Sequence, residues 1–192
     1  MNNILMISHH KKNQKGVTFL EVLIAMVILV TGILGAVAMQ ATAKQASFDA
    51  MQRSLASSLA QDIISRIRAN DATNLALYVS NPSDDYGEVL DTEPDEAFRC
   101  NLPMVMCTPQ ELATHDRYEW ELALLGGDVI RLNGDRNGGL INGRGCVFQT
   151  GNALTVVVSW YGRNEIRDSN KSEACGTASL QRRQVVVEAF II

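Results

Sequence analysis

One carboxylate needs a chemical explanation before any other residue in this chain. Glu21 stands at the head of an apolar run, and Val22 to Met39 then contains no charged residue. A carboxylate near the centre of a membrane helix costs roughly 2.5–3.5 kcal/mol on insertion scales, less near an end, and such residues are usually functional. No base inside the run can pair with it. Hydrolysis of the Gly16–Val17 peptide would create one, an α-amino group at Val17 that can meet Glu21 of a neighbouring copy when helices pack side by side. The plain alternative is that Glu21 snorkels to the membrane surface.

The remaining chemistry is sparse. Four cysteines, Cys100, Cys107, Cys146 and Cys175, all lie beyond the apolar run. An even count in an exported region predicts two disulfides. Three pairings are open. The favoured one closes a short loop between Cys100 and Cys107 and ties a strand to a returning loop through Cys146 and Cys175. A metal reading lacks C-x-x-C spacing, and after residue 16 the only histidine is His115, on a predicted helix without a spaced partner. It reads as a structural or exposed histidine. Asn133, Asp135, Asn137 and Gly138 imitate the first half of a calcium loop, but Arg144 stands where a bidentate acid is required. No Walker loop, G-x-S-x-G or H-E-x-x-H occurs. The expectation is no cofactor, no metal and no catalysis. Arg182 and Arg183, with Arg163 and Arg167, could form a basic patch, against the plainer reading of a solvated strand edge.

Charge and hydropathy show what positions Glu21. Residues 1–16 carry Lys11, Lys12 and Lys15 and no acid, leaving 14 of the 17 Lys+Arg against all 21 Asp+Glu, a net charge of about −7 beyond Gly16. An acidic exposed part argues against nucleic acid as a partner. Val17 to Met39 forms about 35 Å of helix at ~1.5 Å per residue, enough to span a hydrocarbon core of ~30 Å. Signal-peptide cores are shorter, roughly 7–15 residues, which weighs against cleavage after Ala41-Thr42-Ala43 and a soluble exported product. The lysines keep the N-terminal side cytoplasmic and send the rest to the periplasm or cell exterior.

Beyond Met39 the pattern becomes amphipathic. Phe48, Met51, Leu55, Leu59, Ile63 and Ile67 recur at spacings of three and four, opposite Lys44, Asp49, Arg53, Gln61 and Arg66. One helix is predicted from about Val17 to Ala69, some ~80 Å long. Residues 71–107 read as irregular, with turn signals at Asn81-Pro82 and Glu93-Pro94. Thr108-Pro109-Gln110-Glu111 is a strong helix start. That helix should pass Trp120 and Leu124 and stop near Gly126-Gly127. The alternation of Tyr118, Trp120, Leu122 and Leu124 leaves a strand as the competing reading. Cys146–Gln149, Leu154–Tyr161 and Arg182–Ile191 read as strands, the first two joined through Thr150-Gly151-Asn152. The expected fold is α+β, a long N-terminal helix packed on a C-terminal antiparallel sheet. Its parts are a leader over 1–16, a membrane or filament-core helix over 17–39, an amphipathic continuation over 40–70 and a globular domain over 71–192.

Lys15-Gly16-Val17-Thr18-Phe19-Leu20-Glu21-Val22-Leu23-Ile24-Ala25 resembles the processing signal of type IV prepilins and pseudopilins. The resemblance implies a type IV pilin-like fold. It implies cleavage after Gly16 by a prepilin peptidase, N-methylation of Val17, and pairing of Glu21 with a neighbour's N-terminus. Val17 departs from the commoner phenylalanine. The leader is long for the family, and Met6 is an alternative start. Cys107-Thr108-Pro109, Leu112-Ala113, Trp120, Gly145-Cys146, Val156 to Trp160, and Cys175 before a Val-rich closing strand resemble the PilV group of minor pilins. Implied partners are major and minor pilins, the prepilin peptidase, the inner-membrane assembly platform and the membrane. Implied roles are pilus assembly, adhesion or twitching motility, with the inner membrane first and an extracellular pilus afterwards as its locations. The alternatives are a type II secretion pseudopilin and a membrane-anchored periplasmic binding protein.

Overall fold

The structure is a computed structural model that describes residues 16–80, 99–102, 106–127, 129, 132–133, 138–165 and 175–191. The chain divides into two units, Met1–Gln45 and Ala46–Ile192. Helix α1, Phe19–Ala69, begins in the first and ends in the second. A 3-10 helix follows at Ala72–Tyr78, then α2 at Pro109–Leu125 and strands β1 (Arg144–Thr150), β2 (Ala153–Tyr161) and β3 (Arg182–Phe190). The sheet is antiparallel in the order β1-β2-β3. This is the expected α+β fold, a long N-terminal helix with a C-terminal antiparallel sheet.

Helix α2 forms for the reasons legible at its ends. Thr108 accepts the Glu111 N–H while the Glu111 carboxylate takes the Thr108 N–H, a complete capping box with proline following the cap. At the other end Gly126 sits at φ +72°, in the left-handed region where a side chain is strained, and closes the helix. These two caps overrule the alternating strand pattern at Tyr118 to Leu124.

In the second unit, α1 contributes Ala56, Leu59, Ala60, Ile63, Ile64 and Ile67 to one core. The sheet supplies Val147, Leu154, Val156, Val158 and Trp160 to it, and α2 supplies Ala113, Trp120 and Leu124. The buried face of α1 is rotated from the one expected. Met51 is exposed and Phe48 and Leu55 are half-buried, whereas Gln52, Ala56, Ala60 and Ile64 are inside. Alanines let backbones approach, and the buried Gln52 is satisfied by the Ile141 N–H at 3.1 Å. Trp120 is fully buried and donates its indole N–H to the Leu59 carbonyl at 2.9 Å, joining α2 to α1. A side chain at position 145 would collide with the Trp120 ring, so Gly145 is the only residue type that lets β1 pass beneath it.

The outer face of β2 is also covered. Cys146, Val157 and Cys175 form a second small cluster with Phe148 packed against it. The structure bridges Cys146 to Cys175 and Cys100 to Cys107. The segment expected to be irregular over 71–107 contains the 3-10 helix, whose cap Asp71 accepts the Thr73 N–H at 2.8 Å. That bond, and then the Thr73 hydroxyl, hold the Asp71 carboxyl below its ordinary pKa.

Candidate functional site

The first described residues, Gly16, Val17 and Thr18, are non-helical and exposed. The helix begins at Phe19, two residues later than the apolar run alone suggested. Thr18 ends the non-helical stretch. Its carbonyl accepts the Glu21 N–H at 3.0 Å and the Val22 N–H at 3.3 Å, and its hydroxyl oxygen accepts the Glu21 N–H at 3.4 Å. Glu21 lies in the first turn, where a carboxylate suits the positive end of the helix, and is exposed. A Cβ added to Gly16 would meet nothing within 4 Å. Among the described residues nothing crowds that position.

From Val17 to Met39 no other described residue covers the apolar surface. The large apolar side chains from Val17 to Met39 are all at least 46% exposed. The helix is long and apolar enough to cross a membrane. Gly32 and Gly35 open onto empty space. The arrangement therefore comprises an accessible peptide bond, a carboxylate one helical turn beyond it, and an apolar rod that other molecules must cover.

The second unit holds polar groups that sequence reasoning did not single out. Arg66 bonds Asp62 at 2.9 Å, Asp116 at 3.2 Å and Glu119 at 2.6 Å, linking α1 to α2. Burial alone would lower the Arg66 pKa, but the bonds to Glu119 and Asp62 win and raise it. Tyr78 donates to Asp116 at 2.8 Å and accepts from Asn70 at 3.0 Å. Burial, helped by Asp116, pushes the Tyr78 phenol well above its ordinary pKa. His115 is buried beside this network, with Nε2 at 3.1 Å from Glu119 Oε1 but without hydrogen-bond alignment. Sequence periodicity placed Arg66 on the outer face of α1; only the arrival of α2 converts that face into an ion-pair site.

The basic patch does not assemble. Consecutive strand residues point to opposite faces, and Arg182 turns to the outer face. There it is buried, donating to Ser159 Oγ at 2.8 Å and Thr177 O at 2.9 Å, with its guanidinium carbon 4.5 Å from the Tyr161 ring centroid. Arg183 leaves by the other face and donates to Asn164 O at 2.8 Å, and Arg163 stacks on Phe48 at 4.6 Å. Arg167 lies outside the described residues, as do Asp135 and Asn137 of the calcium-like loop. Among the described residues no three His, Cys, Asp or Glu side chains are grouped to hold a metal.

Comparison with protein families agrees with this geometry. Residues 11–37 match the prokaryotic N-terminal methylation motif, and residues 38–118 match the family described as Type IV pilin Tt1218. Comparison with curated proteins and with solved structures found no match. The motif and the exposed apolar helix fit anchoring in the inner membrane before assembly. The type IV pilin family is structural rather than enzymatic. Over residues 11–118 the chain is thus similar to type IV pilins, through the methylation motif on its N-terminal segment and the pilin match over the helix and its first packing partners.

Proposed function

We propose that this chain is a minor pilin of the PilV type. In this reading a prepilin peptidase cleaves it after Gly16, and Val17 is then N-methylated. The product waits in the inner membrane with residues 71–192 on the periplasmic side and enters an assembling pilus through residues 17–39. It is a substrate and a building block, not a catalyst. Its partners are major and minor pilins and the assembly platform. The observation that carries the reading is the combination at the N-terminus: an accessible Gly16–Val17 bond leading directly into a helix whose apolar side chains as far as Met39 are covered by no other described residue. The family match over 38–118 favours a pilus over a secretion pseudopilus.

The Glu21 carboxylate then sets register. Joining the filament buries Glu21 among apolar helices, where a neighbour's Val17 amine is the natural counter-charge. Mass spectrometry of the mature N-terminus, from membrane and sheared-surface fractions, tests the processing step; a start at Val17 is expected. A start near Lys44, or an intact Met1, would remove the filament reading. Glu21→Ala should still be expressed and cleaved but be depleted from sheared filaments, and normal incorporation of that variant would refute the registration role.

A further inference from the structure

We infer that Thr18 is a positioning residue for cleavage: it caps helix α1 so that the helix cannot grow back over the scissile Gly16–Val17 peptide. The inference rests on the reading that this bond is cut.

In the cleavage reaction water adds across the amide. Its oxygen goes to the Gly16 carbonyl carbon, the C–N bond breaks, and the Val17 nitrogen takes the proton to leave as an amine. A hydrolase needs that carbonyl exposed and its peptide extended. In a helix the carbonyl of residue 16 would instead accept from residue 20, and neighbouring side chains would wrap the bond. The residues after it favour helix, so something must stop the helix from growing toward the N-terminus. Gly16 contributes through low helix propensity, but glycine alone leaves the boundary loosely defined.

Thr18 supplies the definition. The sequence Thr18-Phe19-Leu20-Glu21 has the spacing of a capping box. The Glu21 N–H, one of the donors left over at a helix start, is shared between the Thr18 carbonyl and hydroxyl. Thr18 stands just before the first helical residue, Phe19, and Val17 and Gly16 also lie outside the helix. The Glu21 side chain remains exposed, free for its separate role.

The test is a rate of cleavage on full-length precursor in membrane vesicles containing a prepilin peptidase, with precursor and product separated by mass. Thr18→Val keeps the shape and loses the cap, Thr18→Ser keeps the hydroxyl, and Thr18→Asn replaces it with a different capping group. Thermal melting of each precursor checks that the second unit is intact. Thr18→Val is expected to be cut about three- to tenfold more slowly, the range corresponding to loss of a typical cap. Ser and Asn should both restore a rate close to wild type. Two results overturn the inference: Val cut as fast as wild type, or Asn as slow as Val, which would mean that the peptidase reads threonine itself. A wild-type precursor left uncut at Gly16 overturns the processing reading, and this inference with it.

Discussion

The two halves of α1 make opposite use of one secondary structure. From Val17, two residues before the helix begins, to Met39, fifteen large apolar side chains are exposed; from Ala56 to Ile67 the apolar face is buried at 7% exposure or less. Burying a large apolar side chain is worth roughly 1.5–3 kcal/mol. Fifteen of them left in water would outweigh the whole stability of an ordinary domain, about 5–15 kcal/mol. The first half therefore depends on partners outside the chain, and the second half finds its partners inside it. The division suits the proposed role, in which one helix belongs first to a membrane and then to a filament while carrying a folded domain.

Severing the comparison at its boundary should have the largest effect. A chain beginning at Ala46 is expected to lose membrane association completely while melting within a few degrees of the full-length second unit. Unfolding of that fragment, seen by circular dichroism, would show that the halves are not independent. Within the core, Trp120→Ala should cost about 4 kcal/mol, from the cavity and the lost bond to Leu59, read from urea denaturation. By contrast Leu29→Ala, in the exposed half, should leave that denaturation curve unchanged.

Arg66→Ala is expected to cost roughly 2 kcal/mol, below the usual 3–5 for a buried pair because Arg66 remains partly exposed. Adding Asp116→Asn should recover part of the loss, since the remaining buried acid is then neutral; a double variant worse than the sum of the singles would refute this account of the link between helices. The smallest effect concerns acid. Glu111 is held below its ordinary pKa by the Thr108 N–H and then its hydroxyl, as Asp71 is by Thr73. A depressed carboxylate adds stability that is complete above its unfolded pKa of about 4 and vanishes as pH falls through the folded value. Asp71→Asn with Glu111→Gln should therefore be slightly less stable than wild type at pH 7. The two proteins should converge below pH 3, and a constant gap across that range would count against these caps.

Much of the molecule was readable because the signals were local. The helix α2 was announced by Thr108, Pro109, Glu111 and Gly126, all within one turn of its ends. The strands followed from β-branched runs, and the likeness to the methylation motif from a contiguous stretch. The helical face of α1 was misjudged at Met51 because periodicity weighs hydrophobicity, while close packing at Gln52, Ala56 and Ala60 depends on side-chain size. The 3-10 helix was missed because seven residues carry little periodic signal.

Sequence by itself determined that the chain has an apolar span headed by Glu21, a glycine before it, an even number of cysteines after it and a helix-then-sheet order. These follow from neighbours along the chain, whose chemistry and spacing are explicit in the residues. Tertiary structure alone decided that Arg66 joins Asp116 and Glu119, that Trp120 reaches Leu59, and that Arg182 and Arg183 part company across the sheet. The first two contacts join residues about fifty or more positions apart, and the third depends on which sheet face is covered. Distances of that kind are set by the packing of whole elements, which no local pattern specifies.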